Sequence, residues 1–123
     1  MSGFTRDHNR LHVDGLPLED IAAEFGTPLY VYSADAITAA YTRFHEAVAG
    51  ADGHIHFALK ANSNMAVLRL LARLGAGADI VSGGEMQRAL AAGIAPEKII
   101  FSGVGKTDAE LLAAFEAVIG QIN

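Results

Sequence analysis

Apolar and polar positions along the chain alternate between two periods. Residues 54–60 (HIHFALK) step with period two: Ile55, Phe57 and Leu59 share one side, and His54, His56, Ala58 and Lys60 share the other. That is the signature of a strand. Met65, Leu68, Leu71 and Leu74 then recur at helical spacing, behind a cap expected at Asn62-Ser63 and ahead of Gly75 and Gly77. The same alternation of periods repeats downstream. Ala78 to Val81 predicts a strand, and Ser82-Gly83-Gly84-Glu85 has the spacing of a capping box opening a helix to Ala92. Lys98 to Ser102 predicts a strand, Thr107 to Glu110 a second capping box with a helix to about Ala117, and Val118 to Asn123 a further strand start.

Upstream, Leu16 to Phe25 (LPLEDIAAEF) predicts a short amphipathic helix ended by Gly26. Leu29 to Tyr32 is apolar and aromatic and predicts a strand after Thr27-Pro28. Ser33 stands as N-cap of a helix carrying Ile37, Ala40, Tyr41, Phe44 and Val48 on one stripe.

Strands expected near residues 54, 78, 98 and 118, each followed by one helix, argue for parallel βα units in an α/β fold. An open doubly wound sheet needs about five strands and a (β/α)₈ barrel about 250 residues. The last strand-like segment carries no cap and no polar tail. The expectation is therefore the N-terminal part of a larger protein, reaching near the middle of a barrel.

Composition narrows the function classes. Nine basic residues are scattered through a chain of net charge −5, which leaves no basic footprint for nucleic acid. Cysteine is absent, so disulfides and thiolate metal sites are excluded. His54 and His56 share a strand face without a third ligand in view, so no metal site is expected. The N-terminal segment MSGFTRDHNRLHVDG has no apolar core of a secretory signal, and no apolar stretch reaches the roughly 18–20 residues of a membrane helix. A cytoplasmic protein without membrane partners is the expectation.

Lys60 is the candidate for chemistry. Alternation sets it last on the side that would point into a barrel, at the C-terminal mouth, where barrel enzymes carry their sites. Two readings stand beside each other. One is a solvated lysine whose stem covers apolar surface. The other is an amine of lowered pKa that condenses with a carbonyl as a Schiff base. Asn62-Ser63-Asn64 supplies polar groups just past it, and Asp79 lies at nearly the same level of the next strand. Asp79 reads equally as a supporting acid of the site or as a carboxylate pairing a cation at the mouth. Gly83-Gly84 opens a helix after a strand, as phosphate sites do; the simpler reading is a tight turn with a capping box. Gly103-Val104-Gly105-Lys106 is a mouth loop that lacks the P-loop pattern.

FALKANSN, GADIVSGGE and IIFSGVGKT, in this order and spacing, resemble the N-terminal third of the diaminopimelate decarboxylases. These are fold-type III enzymes that use pyridoxal 5′-phosphate (PLP). GLPLEDIAAEFGTPLYVYS resembles the start of the same family, so the likeness runs from about His8 to Asn123. It implies a TIM-like, alanine racemase-like (β/α)₈ barrel, present here as about three βα units and the start of a fourth strand. Residues 1–33 would contribute to a β-domain, and residues 34–123 would form the incomplete PLP-binding barrel. Lys60 matches the lysine that forms the Schiff base with PLP, and Asp79 matches a mouth-lining acid. The resemblance further implies a homodimer that decarboxylates meso-diaminopimelate to L-lysine. The phosphate cradle, the ring-stacking histidine, the acid at the pyridine nitrogen and the substrate-selecting residues would all follow Asn123. Ornithine and arginine decarboxylases and alanine racemases share the lysine motif and are the alternatives, as is a non-catalytic fragment. The 123 residues alone are expected to be inactive.

Overall fold

The computed structural model describes residues 3–123. Residues 1 and 2, at the start of the segment assigned to a β-domain, lie outside the described residues. The chain divides into two compact units, Met1–Glu46 and Ala47–Asn123.

The first unit opens with a three-stranded antiparallel sheet that is not among the elements expected from the periodicity: β1 (Phe4–Asp7), β2 (Arg10–Val13) and β3 (Leu16–Pro17). Each hairpin turns on two residues of positive φ, His8-Asn9 (44° and 65°) and Asp14-Gly15 (48° and 84°). Positive φ at both central positions is what type I′ turns require. Pairing of Leu16 and Pro17 with Val13 and His12 delays the first helix, so α1 spans Leu18–Phe25 and does not start at Leu16. The strand expected at Leu29 to Tyr32 does not form. Aromatic and β-branched content suits a pleated surface, but a strand exists only with a partner, and none pairs with 29–32 among the described residues; Tyr30 is 90% exposed. Ser33 caps α2 (Ala34–Val48) as expected, its Oγ accepting the Ala36 N–H at 2.9 Å. Asp14 reinforces the cap. Its carboxylate accepts the Ser33 hydroxyl at 2.6 Å and the N–H groups of Ala34 and Asp35 at 2.7 and 3.4 Å.

The second unit is the βα repeat. Its strands are β4 (His56–Ala58), β5 (Gly77–Ile80), β6 (Ile99–Phe101) and β7 (Gln121–Ile122). They begin 21, 22 and 22 residues apart, pair in parallel, and lie side by side in chain order. A doubly wound sheet reverses its strand order at a switch point; this sheet advances in one direction, as a barrel does. Between the strands run α3 (Met65–Leu74), α4 (Gly83–Ala91) and α5 (Asp108–Glu116).

Alternation sorts the sheet into two faces. Ala78, Ile80, Ile99 and Phe101 are buried on one face, and they form a core with Leu59, with Leu68 of α3, with Met86 and Ala89 of α4, and with Ala114 of α5. Phe57 and Ile122 pack against the same cluster. The other face carries His56, Ala58, Gly77, Asp79, Ile100, Ser102, Gln121 and Asn123, none of which joins that core. Close approach explains Gly77. A Cβ there would run into the Lys98 carbonyl oxygen and come within 2.5 Å of the His56 ring.

The helix starts differ in detail from expectation. Asn64, not Asn62-Ser63, caps α3: its Oδ1 accepts the N–H groups of Ala66 and Val67 at 2.9 and 3.4 Å. Asn62 supports the turn by accepting the Asn64 N–H at 3.0 Å. The Thr107–Glu110 capping box closes in both directions. The one at Ser82 closes in one. Ser82 Oγ accepts the Glu85 N–H at 3.2 Å, but the Glu85 carboxylate takes the N–H of Val81, one residue earlier, at 2.7 Å.

Candidate functional site

The candidate residues gather at the C-terminal edge of the parallel sheet. The strand ending in Lys60 is shorter than its alternation suggests. Pairing stops at Ala58, and Leu59–Ala61 form one 3₁₀ turn. Leu59 is fully buried in the helix-facing core, while Lys60 is exposed. The lysine therefore stands exposed on a turn at the strand's end and is not the last residue of the strand itself.

Asp79 is not level with Lys60, as the linear pattern suggests. Its register partner is Ala58, so Lys60 lies two residues past the level of Asp79 along the sheet. The carboxylate is half-buried on the open face, where its Oδ1 accepts the Ser102 hydroxyl at 2.6 Å. Ser102 Oγ in turn accepts from Asn123 Nδ2 at 3.5 Å. The structure thus joins Asp79 to two residues the sequence reading does not single out. Their signal was available, since Ser102 and Asn123 fall on the open face by the same alternation that places Asp79.

The three lysines differ in what holds them. Lys98 Nζ donates to the Gly75 carbonyl at 3.3 Å. Lys106 Nζ donates to the carbonyls of Gly103 and Asn123, both at 2.6 Å, and lies 5.3 Å from the centre of the Phe101 ring. Lys60 has neither hydrogen bond nor ion pair among the described residues. Of the three, Lys60 is the one with no hydrogen bond to give up before it approaches a carbonyl group.

The glycine-rich turn at Gly83-Gly84 is already satisfied from within. Glu110 of α5 places Oε1 on the Gly83 N–H at 2.8 Å, while Oε2 accepts the Thr107 N–H at 2.9 Å and its hydroxyl at 3.0 Å. The Thr107 N–H, then that of Gly83, hold the Glu110 carboxyl below the usual glutamate range. A resident carboxylate at this helix start agrees with the tight-turn reading of SGGE.

Comparison with known proteins decides the family. The model of the "pyridoxal-dependent decarboxylase, pyridoxal binding domain" family matches residues 34–123. The chain belongs to the pyridoxal-dependent decarboxylases. Among relatives of this chain, the diaminopimelate decarboxylase of Pseudomonas fluorescens is 50% identical over 123 residues, which is all of this chain and 30% of the relative. The crystal structure of the M. jannaschii diaminopimelate decarboxylase in complex with L-lysine superposes with a TM-score of 0.94 at 39% identity, over all of this chain and 30% of that one. A lysine/ornithine decarboxylase from Vibrio vulnificus, complexed with putrescine, is more distant: TM-score 0.75 and 26% identity, covering 83% of this chain and 28% of that one. The chain thus spans about 30% of the length of these relatives. Its sheet is the N-terminal part of a PLP-decarboxylase barrel: the strand–helix repeat predicts the barrel, and the family resemblance predicts its kind.

The residues present suit the family's cofactor in one respect. Pyridoxal is an aldehyde, and the exposed, unengaged Lys60 amine at the rim of the sheet is the group that would hold it.

Proposed function

We propose that the full-length protein carrying this sequence is a PLP-dependent decarboxylase that converts meso-diaminopimelate to L-lysine and CO₂. The observation that carries this reading is the free amine of Lys60 at the C-terminal edge of a sequential parallel sheet. The choice of substrate rests on identities of 42–50% to diaminopimelate decarboxylases over the whole of this chain.

In this reading Lys60 binds the cofactor covalently and fixes it at the sheet's rim. Bound PLP supplies an electron sink for the electron pair left behind when a carboxylate departs as CO₂. Asp79 places a fixed negative charge on the open face, where it can orient an ammonium or N–H group. The helix-packed face keeps the strands rigid beneath the site.

The sheet β1–β3 and the family match beginning at Ala34 support the assignment of residues 1–33 to a β-domain and of 34–123 to the barrel. Cytoplasmic location and a homodimer complete the proposal. No helix among the described residues is long and apolar enough to cross a membrane, which fits that location. The 123 residues alone are inactive in this reading, because strands β4 and β7 have no outer partner among the described residues.

Borohydride reduction of the PLP-loaded full-length protein, followed by peptide mapping, tests the assignment. The label is expected on the peptide containing Lys60; a label on Lys98 or Lys106 overturns it. Lysine formation from meso-diaminopimelate, measured beside turnover of L-ornithine and L-arginine, tests the substrate.

A further inference from the structure

Among the described residues, one short polar chain crosses the open face of the sheet. Asp79 on β5, Ser102 just past β6 and Asn123 just past β7 lie on neighbouring strands and on the same side. Ser102 links the other two. Its single hydroxyl proton goes to Asp79 Oδ1 at 2.6 Å, and its oxygen accepts from Asn123 Nδ2. A hydroxyl has one proton to give, so this arrangement uses its donor fully. Backbone bonds fix both residues: the Ser102 N–H donates to the Ile80 carbonyl at 2.8 Å, and the Asn123 N–H donates to the Phe101 carbonyl at 3.0 Å.

Asp79 is held on one side only. The Ser102 hydroxyl is its one side-chain partner among the described residues, so Oδ2 is left without one. Both residues are half-buried, where a hydrogen bond to a charged group is stronger than in water.

We propose that Ser102 is a positioning residue for the reaction. It tethers one oxygen of Asp79, fixes the side-chain rotamer, and presents the other oxygen to an ammonium or N–H group at the sheet's rim. This rests on the reading of Asp79 as a site residue.

The test uses the full-length PLP-loaded protein with the variants Asp79→Asn, Ser102→Ala, Ser102→Thr and the double variant Asp79→Asn/Ser102→Ala. Steady-state kinetics, the absorbance spectrum of the bound cofactor and the thermal midpoint are measured for each. Ser102→Ala is expected to lower kcat/KM by about tenfold, the effect of losing one charge-assisted hydrogen bond. It should move the cofactor absorbance in the same direction as Asp79→Asn. Ser102→Thr keeps the hydroxyl and is expected to restore both rate and spectrum. In the Asp79→Asn background, Ser102→Ala should add nothing further. Full additivity in the double variant overturns the tether, because the serine then acts independently. A silent Ser102→Ala beside an impaired Asp79→Asn overturns the tether alone. A silent Asp79→Asn overturns the role of Asp79, and the tether with it.

Discussion

Glu110 Oε1 accepts the backbone N–H of Gly83 at 2.8 Å, so a carboxylate in the first turn of α5 caps the start of α4, 27 residues earlier. The same carboxylate closes the capping box of its own helix through Thr107. One side chain therefore serves two helix starts, and it ties the turn after β5 to the loop after β6.

Replacing this residue should be felt at both ends. Glu110→Ala is expected to lower the thermal midpoint of the full-length protein by about two degrees, since a cap loss of about 1 kcal/mol shifts a large domain less than a small one. Hydrogen exchange at residues 81–85 should rise together with that at 107–110. Gly83→Ala adds a second readout. Its Cβ would come within 3.0 Å of Glu110 Cγ, so it should destabilise the wild type and do so less in the Glu110→Ala background. Equal effects in both backgrounds would show that the two residues do not meet.

Acid sensitivity follows from two carboxylates. The Thr107 N–H holds Glu110 low, with help from the Gly83 N–H and the Thr107 hydroxyl. The Ser33 hydroxyl holds Asp14 low; desolvation, the next-largest effect, opposes it, and the Asp35 and Ala34 N–H groups add to the lowering. Each folded pKa lies below its unfolded value of about 4. The stabilisation is thus fully present above that value and is lost as pH falls through the folded pKa. Thermal midpoints measured from pH 6 down to pH 3 should fall most steeply below about pH 4. Glu110→Gln should remove its share of the slope, and an unchanged slope would contradict the assignment.

Lys60 should separate chemistry from stability. In the cofactor-free full-length protein, Lys60→Ala is expected to change stability by less than about 0.5 kcal/mol, as for an exposed side chain without partners. The same substitution should abolish covalent trapping of PLP. Urea unfolding and borohydride labelling check the two halves.

Gly77→Ala is expected to cost about 1–3 kcal/mol, the range for forcing extra volume into a packed position. One neighbour of the new methyl group is backbone, the Lys98 carbonyl, which cannot swing aside as a side chain can. Urea unfolding of the full-length protein measures the loss.

The second unit was legible because two periods alternate there with little interference. The burial of Leu68 and Leu71 from the stripe Met65, Leu68, Leu71 and Leu74, the Thr107–Glu110 box and the sidedness of Phe57, Asp79 and Phe101 all follow from local pattern. The first unit was less so. Asp14-Gly15 is a strong hairpin signal, but its flanks LHV and LP are too short for alternation to stand out, and Leu16-Pro17 also fits the helical pattern that follows. The 3₁₀ turn at Lys60 was hidden for a different reason. FALK continues the alternation perfectly, and only the pairing register shows that the ladder stops at Ala58. Contacts such as Glu110 with Gly83 join residues too far apart in the chain for local pattern to reveal.

Leu59 and Lys60 are neighbours with opposite surroundings, one sealed in the core and the other open to solvent. A single peptide bond therefore mounts the amine on a hydrophobic peg. Trimming that peg, as in Leu59→Val, would loosen the seat of the amine while leaving its chemistry untouched. Variation in the interior of this fold can in that way retune where the lysine reaches without altering any residue that a bound molecule would touch.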